Sequence, residues 1–436
     1  MKRFLPESRM SGSHRAVWTV ESACKMVRYT AASVACAAAM LLCTPGCERV
    51  SYYSYTGSGP EESTGTGTPT QTVTPTITRA AVLGAVGTCA SSLYSQVAAA
   101  SKTLQETGAE AAADPTKVDA ARDAWRAAID LWQQAEVIRI GPAGPASSPG
   151  GQDKRDLIYS WPLVSRCLLE QTLVSKGYEA GDFFSTALVN MRGLAASEYL
   201  LFYTGADNAC SSATSINSTG TWAALSETEL STRKRAYAAR VAVDIATQTK
   251  AVADAWSTSG GNFQAQLATA GESGSAFSTD RLAMNLVSDG LFYLDTDTKD
   301  LKLGKPLGIV ECADATCPEA VESKYAFRSR THVKNNLLGF RRVYEGCSEA
   351  NDLGFDDLIA ALGKGDLAAQ MSKDLELAIA AADALPNDDV AQSMLLDKAK
   401  VLALHAAIKK LTDAMKTEFV TVLDLELPQT VEGDND

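Results

Sequence analysis

The chain has 436 residues, a formal charge of −12 and a pI near 4.9, an acidity that excludes general nucleic-acid binding, which needs basic surface to displace phosphate counterions. At 46% hydrophobic and 7% aromatic it can bury a real core, so disorder throughout is excluded, and its length suits two or three domains. With only three histidines (His14, His332 and His405), a site built on several imidazoles is excluded as well.

Residues 31–43, AASVACAAAMLLC, form an apolar run of 13. That is too short for a permanent membrane span and suits the core of a signal peptide, with Lys25 and Arg28 as its basic flank. Thr44-Pro45-Gly46-Cys47 follows and resembles a bacterial lipobox, which makes Cys47 the expected lipidated first residue of the mature chain. Ordinary secretion with cleavage nearby is the alternative, and Met26 would start a signal of more usual length than Met1 does. Removing residues 1–46 takes away six basic and two acidic residues and leaves −16, so membrane attachment would rest on the acyl chains alone. Glu48 rather than Asp follows the anchor, which points to the outer membrane, facing the periplasm or the cell surface. Residues 48–77 are dominated by Ser, Thr, Gly and Pro and read as a flexible tether.

Beyond residue 78 the apolar period is helical. Residues 118–138, VDAARDAWRAAIDLWQQAEVI, place Val118, Ala121, Trp125, Ala128, Ile129, Trp132 and Ala135 on one stripe, started by Asp114-Pro115 and stopped by Gly141-Pro142. Further helices are expected near 80–107, 157–176, 183–204, 227–257, 323–344 and 366–383. A last one, over 391–424, carries a stripe through Leu395, Ala399, Leu402, Leu411, Met415 and Leu423. Eight long helices and no strand run predict an all-α protein of two consecutive four-helix bundles. The expected division is an N-terminal bundle over 78–215 and a C-terminal bundle over 216–428 carrying an irregular insertion at 258–318. An acidic, solvated tail over 429–436 ends the chain. Six cysteines remain after export and lipidation (Cys89, Cys167, Cys210, Cys312, Cys317 and Cys347), an even number that favours disulfides. Fifteen pairings are open, Cys312 with Cys317 is the leading local pair, and the lack of CxxC leaves a zinc ribbon without support.

The chemically suggestive string runs from Arg192 to Phe202, RGLAASEYLLF. Glu198 stands mid-helix among apolar residues and is expected to turn inward, where a carboxylate is costly unless it is paired or bound to a metal. Gly193 weakens a helix by up to ~1 kcal/mol relative to Ala, so close packing is its expected reason. No nucleophile triad is available.

At these residues the chain resembles the imelysin family, whose signature is Gly-x-His-x-x-Glu before an apolar stretch. Gly193, Glu198 and Tyr199-Leu200-Leu201 match, while Ala195 stands at the histidine position. Other pieces agree in order: Trp125 to Trp132 with Glu136, Gly141-Pro142, Asp156 before Trp161-Pro162, Gly304-Lys305-Pro306, Glu322-Ser323, Asn335-Asn336 with Gly339, and Tyr344-Glu345-Gly346. The likeness covers roughly residues 80–425. It implies an exported protein of two helical bundles from a family named for a metallopeptidase, with iron-uptake lipoproteins among its members. It also implies a site grouping Glu198, Glu136, Asp156 and Glu322, with Arg139 and Asn336 as hydrogen-bonding partners. With Ala195 offering no lone pair, no catalytic residue is assigned and no cofactor is certain. The expectation is a non-peptidase protein that binds a small ligand or peptide between its bundles. The alternative is a carboxylate-based metallopeptidase or an iron-binding uptake component, in which a divalent cation or iron would sit on Glu198 and its neighbouring acids. A purely structural reading pairs Glu136, Glu198 and Glu322 with Arg139, Arg192 or Arg342 as interior bridges. His332, on a polar helix beside Lys334, and His405 read as ordinary surface or core-edge residues.

Overall fold

Every regular element is a helix in the computed structural model, which describes residues 77–347 and 353–431. The signal segment with Cys47, the tether up to residue 76 and the tail from residue 432 lie outside the described residues. In chain order the main helices are α1 (Arg79–Ala113), α2 (Val118–Ala135), α3 (Lys154–Ile158), α4 (Arg166–Ser175), α5 (Gly193–Phe202) and α6 (Glu227–Trp256). They continue with α7 (Phe263–Ala268), α8 (Asp280–Leu291), α9 (Leu294–Gly304), α10 (Ser329–Tyr344), α11 (Phe355–Ala361), α12 (Gly365–Asp383) and α13 (Val390–Ala414). None of the described helices is long and apolar enough to cross a membrane.

The starts follow from short polar side chains that satisfy otherwise orphaned N–H groups. Thr78 accepts from Ala81 N, Ser226 from Glu229 N and Asp389 from Ala391 N. The predicted stripe of α2 is the buried one: Ala121, Trp125, Ala128, Ile129, Trp132 and Ala135 all face the core, and Val118 is half-buried. Helices α1, α2, α5 and α6 pack on one another, α9, α10, α12 and α13 form a second group, and α2 against α10 is the seam between them. The seam is tight at Gly339, where a Cβ would lie 2.3 Å from Gln134 O, so only glycine lets the backbones approach this closely.

Three disulfides close the described body: Cys89–Cys347, Cys167–Cys210 and the expected local pair Cys312–Cys317. The all-α class stands, but several local expectations change. Helix α6 packs on α1 and α5, so a boundary at 215/216 separates it from its neighbours. The expected helix over 157–176 is two helices interrupted around a cis Trp161-Pro162 bond, and 183–204 breaks into a short helix at Phe183–Thr186, a 3-10 turn at Val189–Met191 and the longer helix from Gly193. About half of the stretch 258–318 is helical, holding α7, α8 and α9. Helix α9 is a π-helix whose inward residues include Asp295, Asp297, Lys299 and Lys302, so its buried face carries charges and gives no apolar stripe to read. In α13, Asp397 departs from helical geometry (φ −159°, ψ 80°) and shifts the phase of the turns that follow. Ala399 and Leu402 are therefore exposed, while Val401, Leu404, Ile408, Leu411 and Met415 fill the core; Leu395, ahead of the break, is exposed as well.

Candidate functional site

Helix α5 is buried on all sides from Gly193 to Leu201, and its entry is set by close packing. Gly193 has φ +78°, and a Cβ there would lie 2.8 Å from Ile158 O, so the helix start is pressed against the end of α3. Trp125 Nε1 donates to Leu194 O at 2.9 Å and locks the first turn onto α2. Two positions on, Ala195 lines a cavity of about 520 Å³ together with Glu198, Trp161, Pro162, Leu301, Val321, Ser323 and Tyr325.

Glu198 is 4% exposed. Its Oε1 accepts two backbone hydrogen bonds, from Tyr325 N and Ala326 N, both at 2.9 Å. Among the described residues Oε2 accepts none and no Lys or Arg forms an ion pair with Glu198, which leaves Oε2 as the face presented to the cavity. Burial pushes this carboxyl above its ordinary value of 4.5, partly opposed by the two N–H donors and His332, and Glu322 adds to the rise. The folded form thus holds a proton over a pH window in which the unfolded chain has already lost it. The penalty for ionising Glu198 is absent below 4.5 and complete above the raised value. A Glu198→Gln variant is therefore expected to melt about 2 °C above the parent at neutral pH, with the difference vanishing as the pH falls below 4.5. Differential scanning calorimetry across pH checks this, and a difference that grows on acidification would contradict it.

Beneath the cavity lies a buried polar cluster. Glu322, fully buried, accepts from the Tyr159 hydroxyl at 2.5 Å and from Gln133 Nε2 at 3.0 Å on Oε1, with Lys302 Nζ 3.0 Å from the same atom. His332 Nδ1 lies 3.3 Å from Oε2. Burial raises this carboxyl, but Lys302, His332 and the Tyr159 hydroxyl outweigh it and hold it at about 2. Lys302 spends its other donors on Gln133 Oε1 (2.7 Å) and Asn336 Oδ1 (2.8 Å). Asn336 in turn donates to Gln133 O at 2.7 Å, tying α9, α10 and α2 together.

The remaining predicted residues go elsewhere. Glu136, fully buried, is gripped by Arg155 through Nε and Nη2 at 3.1 and 2.8 Å to Oε2, and Arg155 Nη1 reaches Asp156 at 2.9 Å. Arg139 pairs with Asp297 at 3.1 Å and lies over the Tyr293 ring. Arg139 and Asp156 line a second cavity, of about 670 Å³, with Arg155, Asp153 and Asp289. Of the six residues grouped by sequence, Glu198 alone lines the α5 cavity, with Glu322 and Asn336 behind it. The bridges proposed to Arg139, Arg192 and Arg342 do not form: Arg192 pairs with Asp244, Arg342 donates to Gln134 Oε1, and the acids take Arg155, Lys302 or backbone N–H groups instead. His332, expected at a surface or core edge, is fully buried beside Glu322. Sequence reasoning passed over Lys302, Gln133, Tyr159 and Tyr325. Its one signal for the loop was the Glu322-Ser323 pair, and Lys302 was hidden in a stretch read as irregular.

The donor set does not fit a metal. No group of three or more His, Cys, Asp or Glu side chains among the described residues could hold one. Alanine replaces the nitrogen donor, Glu198 Oε1 is taken by two N–H groups, and Glu322 is neutralised by Lys302.

Comparison with known proteins agrees with the scaffold. The model of the imelysin family matches residues 90–417. Iron-regulated protein A of Synechococcus elongatus is 26% identical over 274 residues, covering 62% of this chain and 65% of that protein, just under two thirds of the relative's length. An imelysin-like protein of Psychrobacter arcticum superposes with a TM-score of 0.60 at 18% identity, covering 81% of this chain and 98% of that one. A Parabacteroides distasonis structure, provisionally named an iron-regulated protein A precursor, gives 0.58 at 17% identity over 80% and 96%. These two structures are alike in fold. The family match extends over most of the chain, and the chain belongs to the imelysin family.

Proposed function

We propose that the protein is an exported, lipid-anchored binding protein that takes a small ligand or peptide into the α5 cavity and does not hydrolyse peptides. One observation carries the reading. Where the family signature has histidine, Ala195 lines the cavity, and Glu198, one turn along the same helix, keeps a carboxylate oxygen there with no Lys or Arg ion pair among the described residues. A metallopeptidase needs a metal-activated water held by several fixed donors, and the donor set around Glu198 supplies too few. A buried, unneutralised carboxylate in a part-apolar cavity instead invites a ligand that completes its hydrogen bonding.

The test is native mass spectrometry and elemental analysis of the full chain purified from a host that exports it. The reading expects a non-covalently held organic molecule that Glu198→Ala releases. Stoichiometric transition metal would overturn it in favour of a carboxylate-based metallopeptidase or an iron-binding uptake component. The Synechococcus relative named as iron-regulated keeps that rival in view.

Three disulfides and the name of the Parabacteroides protein as a precursor support export. The anchor is Cys47, in an outer membrane facing the periplasm or the cell surface, and the net charge of the mature chain leaves no other attraction to an anionic bilayer or to nucleic acid. A Cys47→Ala variant is expected to move from the membrane to the soluble fraction on detergent phase separation. Retention in the detergent phase would argue against the acyl anchor.

A further inference from the structure

The loop between Val321 and Arg328 is built in an unusual way. Ser323 has φ +54° and Phe327 φ +56°, two non-glycine residues in the left-handed region within five positions. Such conformations persist where the surroundings over-determine them. Here one end is fixed by Glu322 on Lys302 and Tyr159, the other by Tyr325 N and Ala326 N on Glu198. Between these anchors the Ser323 side chain is 4% exposed, lines the α5 cavity, and its Oγ has no hydrogen-bond partner. Ser323 Oγ, buried without a hydrogen-bond partner, and Glu198 Oε2, which accepts no hydrogen bond among the described residues, thus belong to two side chains that line one cavity.

The charge on the walls points the same way. Glu198, Glu311 and Glu319 line the cavity against Lys305 and Lys324, one negative charge in excess. Lys305 lies 3.2 Å from Glu311, so the charge at the mouth is already partly cancelled, and the deep acid, Glu198, has no Lys or Arg ion pair among the described residues. Trp161, Pro162, Val164, Leu301 and Val321 supply an apolar wall.

Resting on the binding reading above, we infer that the ligand is an organic ammonium ion carrying N–H donors, its nitrogen shared by Glu198 Oε2 and Ser323 Oγ and its apolar body on the Trp161 and Leu301 wall. A quaternary nitrogen fits worse, because it has no proton to donate and Trp161 and Tyr325 are the two aromatics on the wall, too few for a cage. A metal ion is disfavoured by the donor set.

The test is calorimetric titration of the full chain at pH 7 with four probes of one shape: 2-phenylethylamine, its N,N,N-trimethyl derivative, 2-phenylethanol and 3-phenylpropionate. The primary amine is expected to bind at least tenfold tighter than each of the others. Glu198→Gln should weaken it at least tenfold, and Ser323→Ala three- to tenfold, with the melting temperature of the serine variant no lower than that of the parent. Equal or tighter binding of the alcohol or the carboxylate, lost on Ala195→Leu, would overturn the ammonium assignment and leave the binding reading intact. Failure of all four probes to bind overturns the ammonium assignment, and the mass-spectrometric test then decides the binding reading separately. Tight amine binding that survives both Glu198→Gln and Ser323→Ala would place the amine elsewhere and also overturn it.

Discussion

Replacing Lys302 with methionine is expected to destabilise the folded chain by about 3–5 kcal/mol, the range for removing one member of a buried ion pair. The side chain is fully buried, and all three of its donors are committed, to Glu322, Gln133 and Asn336. Methionine has similar bulk, so little of the loss comes from packing. Most comes from the Glu322 charge, left without its cation, and from two amide oxygens that lose a donor. The double variant Lys302→Met, Glu322→Leu should lose less than the two single variants summed, since no charge then remains in the core. Urea denaturation of the parent, the two single variants and the double variant closes the cycle. Purely additive losses, or a loss below 1 kcal/mol for Lys302→Met, would mean that the pair is solvated and does not brace the loop under the cavity.

Breaking Cys89–Cys347 is expected to cost about 5–6 kcal/mol, against about 2 kcal/mol for Cys312–Cys317. The difference comes from loop length: the first bridge spans 258 residues and the second spans five. Cross-linking distant residues removes far more freedom from the unfolded chain, and the effect grows only with the logarithm of the span. The first bridge also holds α1 to the end of α10, whose far end feeds the 321–328 loop. Serine pairs at each bridge, compared by thermal unfolding, test the order. Equal losses would mean that native contacts, rather than chain entropy, set the contribution. The short bridge lies between Glu311 and Glu319 on the cavity wall, so its loss should show first in ligand affinity.

The sequence was most legible where burial is apolar. The stripe of α2 and the all-α class follow from a 3.6-residue period because the buried face consists of Ala, Ile and Trp. It was least legible where the interior is charged. The inward face of α9 carries Asp295, Asp297, Lys299 and Lys302, a composition that reads as solvated until α10, α13 and the Glu322 loop are laid against it. His332 was misplaced for the same reason: α10 carries four Lys and Arg from Arg330 onward, and nothing local says that Glu322 awaits the imidazole on its inner side. The phase error in α13 has a different origin, a single non-helical residue at Asp397 that periodicity cannot register.

At the site, Glu198 was legible because a lone carboxylate in RGLAASEYLLF has to be explained by something buried with it. Its partners were not legible. Tyr325 N and Ala326 N are backbone donors more than 120 residues away, and backbone donors carry no side-chain identity. Asp156 and Arg139 follow in chain order but line another cavity, because Arg155 turns toward Glu136 and carries Asp156 with it.

Peptide hydrolysis by the purified full chain, followed with a mixed peptide substrate in the presence and absence of a metal chelator, meets the central claim head on. On the proposed function, the cavity around Ala195 and Glu198 holds a ligand without performing metal chemistry on it. No turnover above background is expected in the parent or in Glu198→Ala, and no effect of the chelator. Cleavage that the chelator stops and Glu198→Ala abolishes would contradict it.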